Sequence, residues 1–285
     1  MKGIILAGGK GERLYPATIA VNKHLHTIFN KPMIYYPLSI LMLLKIKDIA
    51  LICNPEDENL YKKLLGNGEK FGIKLTYVIQ KSPKGLADAY ILNRKFLKNQ
   101  RSLMILGDNF FYGAVLMKEI KKAINSNSNM IFCYEVKNPS NFGVIQTKKN
   151  KILKIIEKPK NNISDLAITG LYLLDNNSSK YAIKIKPSKR GEIEITSLLK
   201  IYLEKKKLKF TKLGRGVSWL DLGTFKNMQE ASNLVKIIED RQGRMIGCLE
   251  EIAFNNNWIT KTSLKKIINK TKNETYRTYL QRIIS

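Results

Sequence analysis

Three glycines, an arginine and a lysine near the start of the chain could together bind phosphate groups. Gly8, Gly9 and Gly11 follow a short apolar run that is typical of a buried strand. Glycine adopts positive φ and has no side chain, so backbone N–H groups in such a loop can approach an anion closely. Arg13 and Lys23 add positive charge. The stretch therefore predicts a phosphate-binding loop.

The spacing of these glycines matches neither of the two common phosphate motifs. A P-loop needs a lysine followed by Ser or Thr, but the lysine after Gly9 is followed by Gly11. A dinucleotide fingerprint needs a third glycine where this chain has Leu14. Glu12 also places a carboxylate in the loop, and it would repel a triphosphate unless a metal ion or Arg13 offsets its charge.

Two aspartates, each expected at a strand end, could hold a metal ion. Asp108 follows an apolar run, and Asp221 ends a second one much later in the chain. Mg²⁺ prefers carboxylate oxygens from one or two residues together with substrate phosphates. Each aspartate alone is typical of a turn or helix cap, but the pair beside a phosphate loop favours a metal site. Glu157 and Lys158 could likewise be a solvated ion pair, or could bind hydroxyl and phosphate groups.

Alternating apolar patterns predict the framework that would position these side chains. Strands are expected at residues 3–7, 49–53, 73–79 and 102–106, and helices at residues 33–44, 56–65 and 85–97. Such alternation predicts an α/β fold, a Rossmann-like, mostly parallel sheet flanked by helices. Ligands of these sheets bind beyond the carboxyl ends of the strands. The glycine loop and Asp108 both lie at such ends.

The remaining sequence predicts a strand-rich middle part and a helical C-terminal part. Strands are expected at residues 130–136, 143–147, 152–156, 166–174, 210–213 and 217–220, with a helix at residues 194–205. Thr224 is a suitable N-cap for a long helix, and the pattern is helical from there onward. We therefore predict a core of residues 1–224 and a helical subdomain of residues 225–285, packed on the core.

Composition limits the class of partner and the location. The formal net charge of +27 could indicate nucleic-acid binding, but the basic residues are scattered and the Lys, Ile and Asn bias is typical of AT-rich coding DNA. We expect no nucleic-acid partner. Three widely spaced cysteines are typical of a reducing compartment, so we expect a cytoplasmic protein. The longest apolar stretch is shorter than the ~20 residues of a membrane span, so we expect no membrane partner.

Seven motifs in order make the chain resemble the glucose-1-phosphate thymidylyltransferases, a family of sugar nucleotidyltransferases. The motifs are LAGGKGERLYP (residues 6–16), KPMIYYPL (31–38), GDNFFYG (107–113), EKP (157–159), TGLY (169–172), RGEIEIT (190–196) and WLDLGT (219–224). The resemblance continues through EDRQG (239–243) and EEIAF (250–254). Seven coincident motifs make it very specific.

The resemblance implies a function and a role for each matching residue. It implies Mg²⁺-dependent transfer from dTTP to glucose 1-phosphate, giving dTDP-glucose and pyrophosphate, by an enzyme that is commonly a homotetramer. The implied catalytic residues are Arg13, Lys23 and Asp108. The implied nucleotide-binding residues are Gly8, Gly9, Gly11, Arg13, Gln80, Gly85, Leu86 and Asp108. The implied sugar-phosphate-binding residues are Gly143, Glu157, Lys158, Ile168, Gly170, Tyr172 and Arg190. The implied Mg²⁺ ligands are Asp108 and Asp221.

Two alternatives stay open at the level of sequence. Glu12, His26 and Thr27 depart from the family pattern, so the chain could be a weakened or inactive homologue that binds nucleotide sugars. The same chemistry could also use another nucleotide or sugar phosphate. Thymine and uracil differ by one methyl group, which supports only ~1 kcal/mol of discrimination.

Overall fold

A nine-stranded sheet with helices on both faces organises the chain, and the computed structural model describes all of residues 1–285. The strands, in chain order, are β1 (Lys2–Leu6), β2 (Thr27–Ile28), β3 (Lys31–Pro32), β4 (Asp48–Cys53), β5 (Lys74–Ile79), β6 (Ser102–Leu106), β7 (Asn109–Tyr112), β8 (Asn129–Glu135), β9 (Gly143–Lys148), β10 (Lys151–Glu157), β11 (Leu166–Leu174), β12 (Leu208–Lys212) and β13 (Ser218–Asp221). The α-helices are α1 (Tyr35–Leu43), α2 (Glu58–Leu65), α3 (Asp88–Leu92), α4 (Arg94–Leu97), α5 (Ala114–Asn125), α6 (Ser178–Ala182), α7 (Ile195–Glu204), α8 (Phe225–Gln242), α9 (Leu249–Asn255), α10 (Lys261–Lys270) and α11 (Glu274–Ile284).

The sheet has a parallel half and a mixed half. In the parallel half the order is β6-β1-β4-β5, and Leu6 of β1 lies opposite Ile52 of β4 and Leu106 of β6. In the mixed half, β11 runs antiparallel to β6, β8 and β9, whereas β12 runs parallel to β8. Because β1, β4 and β6 are parallel, the segments that follow them emerge at one edge of the sheet. The glycine loop therefore lies near Gly107 and Asp108.

Strand β1 shows why the first apolar run has no polar alternation. Ile5 and Ala7 pack into one core with residues of α1, α5 and α9, while Ile4 and Leu6 pack into a second core with residues of α3, α6 and α7. Successive side chains of a strand point to opposite faces, so a strand covered on both faces must be apolar at every position. This confirms the predicted α/β fold with helices on both faces.

One predicted helix is wrong in detail. Residues 85–97 do not form one helix, because the chain folds as α3 and α4 with a break at Asn93. Residues before α3 are held outside any helix by residue 193: Ile193 N–H donates to Lys84 O at 2.6 Å, and Ala87 N–H donates to Ile193 O at 3.0 Å. A contact with a distant part of the chain thus sets where this helix begins. The predicted helix at residues 56–65 also begins later, at Glu58, after a single 3-10 turn.

Two small two-stranded sheets lie outside the main sheet. β2 pairs with β3, and β7 pairs with β13 so that Asp221 lies opposite Asn109. The chain then enters α8, where the Thr224 hydroxyl oxygen accepts a hydrogen bond from Asn227 N–H at 3.2 Å. The predicted N-cap is therefore confirmed. The antiparallel pairing of β7 with β13 brings together two segments that are distant in the sequence and that each carry an aspartate.

The C-terminal helices pack on the rest of the chain through apolar contacts and one buried ion pair. Ala231 and Val235 of α8 are buried in a cluster with Phe110 of β7. Lys31 Nζ of β3 lies 2.9 Å from Glu239 Oε1 of α8, and both side chains are almost fully buried. Helix α9 contributes to the main core beside α1. None of the helices combines the length and hydrophobicity that a membrane span requires.

Candidate functional site

The glycine loop leaves β1 in a conformation that needs glycine. Gly9 and Gly11 have φ values of 97° and 64°, in the left-handed region that favours glycine. A Cβ atom at Gly8 would lie 2.7 Å from Gln80 Oε1, so a side chain there would collide with the end of β5. Gly9 N–H donates to Asn54 Oδ1 at 3.1 Å. The loop is therefore held against the carboxyl ends of β4 and β5.

A buried polar network connects this loop to the turn that contains Lys23. Asn54 Nδ2 and Asn22 Nδ2 both donate to Asp57 Oδ2, at 2.8 and 2.6 Å. Asn22 Oδ1 accepts from His24 N–H at 3.0 Å and lies 2.7 Å from His24 Nδ1. Burial, and then the Lys23 charge, lower the pKa of His24 to about 3. The imidazole is therefore neutral at pH 7 and leaves Lys23 as the charged group of this turn.

Lys23 and Asp108 form a close, mostly buried ion pair. Lys23 Nζ lies 2.5 Å from Asp108 Oδ2, and Asn109 Nδ2 donates to Asp108 Oδ1 at 3.0 Å. Burial acts to raise the pKa of Asp108, but the Lys23 charge, with the Lys23 and Asn109 hydrogen bonds, holds it well below its usual range. Asp108 is therefore an ionised carboxylate over the whole physiological pH range.

Asp221 lies beside Asp108 because β7 pairs with β13. Leu222 N–H donates to Asp108 O at 2.8 Å just after the strand that pairs Asp221 with Asn109. Arg13 Nη2 lies 3.7 Å from Asp221 Oδ2. Burial raises the pKa of Asp221, and the neighbouring Asp108 charge raises it further. Two acidic groups thus share one small region and repel each other.

This pair of carboxylates fits a hard divalent cation. The mutual repulsion of Asp108 and Asp221 is the electrostatic condition that a cation between them would relieve. Carboxylate oxygens are suitable ligands for Mg²⁺, which commonly takes only one or two of them and completes its shell with phosphate oxygens and water. The protein has no group of three or more His, Cys, Asp or Glu side chains placed to hold a metal ion. A cation held by Asp108 and Asp221 would complete its shell with phosphate oxygens and water.

A cleft of about 240 Å³ adjoins the two aspartates and extends over the mixed half of the sheet. Leu86, Arg13, Asp108 and Asp221 are among the residues that line it. The whole predicted sugar-phosphate group also lines this cleft: Gly143, Glu157, Lys158, Ile168, Gly170, Tyr172 and Arg190. The structure therefore brings these sequence-predicted residues of both groups together in a single cavity.

Polar side chains in the cleft have well-defined partners. Thr196 Oγ1 donates to Glu157 Oε2 at 2.9 Å. Burial raises the pKa of Glu157, and the Thr196 hydrogen bond opposes this rise. Arg190 Nη2 lies 2.8 Å from Glu194 Oε1. Burial acts to lower the pKa of Arg190, but the Glu194 hydrogen bond and nearby carboxylates raise it overall, so Arg190 is a permanent cation.

The other predicted nucleotide residues lie beside this cleft rather than in its wall. Gly11 and Lys23 line a neighbouring open cavity of about 410 Å³, which Arg13 and the exposed Glu12 also line, so that Arg13 belongs to both cavities. Gly8, Gly9, Gln80 and Gly85 line neither cavity; the first three form the loop contacts given above. Gly85 has a φ of 101°, and a Cβ atom there would lie 2.6 Å from the carbonyl oxygen of residue 193. Chain packing is therefore one reason for a glycine at residue 85.

Sequence analysis missed an asparagine at the centre of the cleft. Asn109 is 4% exposed, and its Oδ1 accepts from Gly170 N–H at 3.0 Å and from Trp219 Nε1 at 2.6 Å. The pairing of β11 with β8 shifts register at this point, so Asn109 satisfies a backbone donor of β11. The sequence signal that could have identified Asn109 is its position directly after Asp108, just beyond the end of β6. Asn54 has a similar signal, because it directly follows β4 in the parallel half of the sheet.

Comparison with known proteins gives consistent matches over the whole chain. The sequence profile described as nucleotidyl transferase matches residues 2–237. A glucose-1-phosphate thymidylyltransferase of Neisseria meningitidis serogroup A is 45% identical over 286 residues, covering 100% of this chain and 99% of the relative.

Solved structures show the same fold. A structure described as a glucose-1-phosphate thymidylyltransferase from Bacillus anthracis, in complex with sucrose, has a TM-score of 0.77 and 38% identity, covering 82% of this chain and 94% of that one. A UDP-glucose pyrophosphorylase in complex with UDP-glucose has a TM-score of 0.71 and 24% identity, covering 85% and 99%. The second likeness concerns the fold alone.

Proposed function

The chain belongs to the nucleotidyl transferase family and, within it, to the glucose-1-phosphate thymidylyltransferases, and from this premise we propose that it makes dTDP-glucose and pyrophosphate from dTTP and glucose 1-phosphate. Membership makes it an enzyme that acts on a nucleoside triphosphate and a sugar phosphate. The choice of dTTP and glucose 1-phosphate, the use of Mg²⁺ and the roles of single residues belong to the proposal.

One observation supports the proposal: residues predicted to bind the nucleotide and residues predicted to bind the sugar phosphate line the same cleft. Arg13, Asp108 and Asp221 would bring charges suited to a triphosphate and its cation. In the same cavity, Glu157 can accept hydrogen bonds from sugar hydroxyls, and Arg190 can bind a phosphate. Two ligands placed in this cavity would have their phosphates adjacent, as transfer between them requires.

The chemistry of the proposed step needs charge neutralisation and alignment. An oxygen of the sugar phosphate is already anionic at neutral pH, so it can attack the α-phosphorus of the nucleotide without a general base. Pyrophosphate leaves on the opposite side. Arg13 and Lys23 lie at the glycine-loop end, where negative charge on the α-phosphate and the leaving group would develop. Lys158 and Arg190 would hold the attacking phosphate.

The nucleotide side would bind through backbone and amide groups. Gly9 N–H already donates to Asn54 Oδ1, and the other N–H groups of the glycine loop are suited to bind the triphosphate. Gln80 Nε2 donates to Asp88 Oδ2 at 3.0 Å, which fixes the orientation of the amide expected to pair with the pyrimidine edge. Leu86 lines the cleft and offers an apolar surface to the base. When bound by Asp108 and Asp221, Mg²⁺ would supply positive charge to the phosphates.

A pyrophosphate-release assay across nucleotides and sugar phosphates tests this proposal. The purified protein is assayed with Mg²⁺, with each of dTTP, UTP, ATP and GTP, and with glucose 1-phosphate or other hexose 1-phosphates. We expect release with dTTP and glucose 1-phosphate, and discrimination against UTP of only about tenfold or less, because one methyl group separates the bases. A preference for a purine nucleotide would contradict the proposal. Binding of both substrates without release would identify an inactive homologue.

A further inference from the structure

Arg190 is held in one orientation by a neighbouring buried carboxylate. Its Nε donates to Glu194 Oε1 at 3.2 Å, and its Nη2 donates to Oε1 at 2.8 Å and to Oε2 at 3.0 Å. Ser188 Oγ donates to the same Oε1 at 2.7 Å and accepts from Arg190 N–H at 3.2 Å. Glu194 thus fixes the guanidinium directly and is linked to the Arg190 backbone through Ser188, and the Nη1 edge stays available to a ligand.

Charge alone does not explain how this region would bind a phosphate. Arg190 and Lys158 bring two positive charges, whereas Glu157, Glu192 and Glu194 bring three negative charges. Glu192 and Glu157 lie 3.5 and 3.6 Å from Arg190 Nη2, too far for strong hydrogen bonds. A phosphate therefore gains little from the net field, and its affinity depends on direct, well-oriented hydrogen bonds from the guanidinium.

Glu157 is oriented in a comparable way by Thr196, which lies in the first turn of α7, two residues after Glu194. Thr196 is 2% exposed, and its hydroxyl donates to Glu157 Oε2 at 2.9 Å. The methyl group of Thr196 lies against Gly143, where a Cβ atom would be only 2.8 Å away. One carboxylate oxygen of Glu157 is therefore held by a buried hydroxyl, which leaves the other for a partner in the cleft.

The start of α7 explains why these two contacts occur together. Glu194 is the residue before the helix, with extended φ and ψ of −70° and 138°, so its side chain leaves the helix toward Arg190. Thr196 is the second residue of α7, and its side chain faces Glu157 at the end of β10. Ile195, between them, is buried in the second core. A packed, rigid turn thus carries both side chains, which is the arrangement that positions ligand-binding groups accurately.

We propose that the first turn of α7 is the positioning element of the sugar-phosphate site, with Glu194 orienting Arg190 for the phosphate and Thr196 orienting Glu157 for a sugar hydroxyl. This inference rests on the function proposed above. It separates the recognition of phosphate from the recognition of sugar, because each property depends on a different residue of one turn. Each residue can therefore be tested through its own readout.

The Glu194→Gln variant tests orientation of the phosphate-binding group. The amide keeps the size of the side chain but removes its charge and one of its two acceptor oxygens. We expect the KM for glucose 1-phosphate to rise about tenfold, since hydrogen bonds to charged groups are among the stronger ones. The KM for dTTP and the ranking of different sugar 1-phosphates should stay as in the wild type. Steady-state pyrophosphate release gives all three quantities.

The Thr196→Val variant tests orientation of the sugar-binding group. Valine keeps the shape but removes the hydroxyl, so Glu157 loses its buried donor. Wild-type protein is first assayed with glucose 1-phosphate and a set of its monodeoxy analogues, to find the hydroxyl whose loss costs most. We expect that discrimination to shrink about tenfold in Thr196→Val and to return in Thr196→Ser, which restores the hydroxyl.

One control variant and two results that would contradict the inference complete the test. Ser197→Ala changes the same helical turn outside both hydrogen-bond networks, and it should keep both KM values and the sugar ranking. Wild-type KM for glucose 1-phosphate in Glu194→Gln, or unchanged discrimination in Thr196→Val, would overturn the inference. If Thr196→Val does not fold, Thr196→Ser must keep wild-type discrimination, and loss of it would overturn the Thr196 assignment. Failure of the proposed function gives a different result from failure of this inference. The wild-type protein would then release no pyrophosphate with any sugar phosphate.

Discussion

Glu12 and Arg13 place opposite charges side by side at the mouth of the proposed triphosphate site. Both line the open cavity beside the cleft, together with Gly11 and Lys23. Glu12 is exposed, and no other side chain of the protein bonds to its carboxylate, whereas Arg13 lies near Asp221. The carboxylate therefore opposes an incoming triphosphate, and solvent weakens that repulsion without removing it.

Replacing Glu12 should improve nucleotide binding. In Glu12→Thr the repulsive charge is lost, so we expect the KM for dTTP to fall about two- to fivefold at low ionic strength, with a smaller change at high salt. The KM for glucose 1-phosphate should stay constant. Glu135→Thr, which removes an exposed carboxylate on β8, is the matched control. An unchanged or higher KM for dTTP in Glu12→Thr would contradict the electrostatic role given to this position.

The buried His24 should make stability depend on pH. Its pKa is lowered from 6.5 to about 3 in the folded protein, mainly by burial. Below pH 6.5 the unfolded chain gains a proton that the folded protein excludes, so this contribution to stability is complete above that pH and is lost as the pH falls towards 3. From this one group, the free energy of unfolding changes by at most about 1.4 kcal/mol per pH unit.

Urea unfolding of wild type and His24→Asn at pH 7.5 and pH 5.0 measures this contribution. Asparagine can still donate to Asn22 but does not titrate. We expect the variant to lose less stability than the wild type between the two pH values. Equal losses in both proteins would show that His24 does not set the acid sensitivity.

Sequence alone predicted the candidate site residues whose signal is local. The glycine loop, Asp108 and Lys158 could be proposed because each follows a strand and combines backbone freedom or charge with that position. Asn109 could not be ranked above an ordinary turn residue, because its importance comes from Gly170 and Trp219, which are far away in sequence. Non-local partners of this kind become visible only in the folded chain.

At the scale of elements, the hairpin β2–β3 connects the core to α8 through a buried ion pair. Lys31 Nζ lies 2.9 Å from Glu239 Oε1 and 2.5 Å from Asn30 Oδ1. Asn30 Nδ2 and Ile246 N–H donate to the two oxygens of Glu239, at 2.7 and 2.8 Å. Every polar group of the pair thus has a partner, as buried charges require. The hairpin follows the Lys23 turn, so this contact also supports the site.

Breaking this pair should destabilise the protein strongly. In Lys31→Met the Glu239 carboxylate stays buried without its cation, and we expect a loss of about 3–5 kcal/mol in the free energy of unfolding. The control is Lys236→Met on the same helix, where Lys236 and Asp240 are 58% and 56% exposed. It should change stability by about 0.5 kcal/mol or less. Similar losses in both variants, measured by urea unfolding, would contradict the role of the buried pair.

Elements were predictable wherever local pattern alone determines them. The strand at residues 102–106 appears with the predicted bounds, because a continuous apolar run fits a strand buried on both faces. Residues 85–97 were predicted as one helix, and the prediction was wrong because hydrogen bonds to residue 193 hold their first part in another conformation. The Lys31–Glu239 pair was also missed, since a lysine and a glutamate usually lie at the surface.

At the scale of the whole molecule, the proposed site is assembled from segments along most of the chain. Residues between Gly8 and Asp221 contribute, through the parallel strands, the mixed half of the sheet and the β7–β13 strand pair. This explains why the order of seven motifs was more informative than any one of them. The division at residues 224 and 225, a homotetramer, a cytoplasmic location and the lack of a nucleic-acid partner stay predictions.

The most direct test of the central claim is whether pyrophosphate release requires both substrates and Arg13. Release is measured with dTTP, glucose 1-phosphate and Mg²⁺, with each component omitted in turn, and dTDP-glucose is quantified in the same samples. We predict equal amounts of the two products, no release without glucose 1-phosphate, and a loss of about 100-fold or more in Arg13→Ala with unchanged circular dichroism. Release without glucose 1-phosphate, or wild-type rates in Arg13→Ala, would contradict the account.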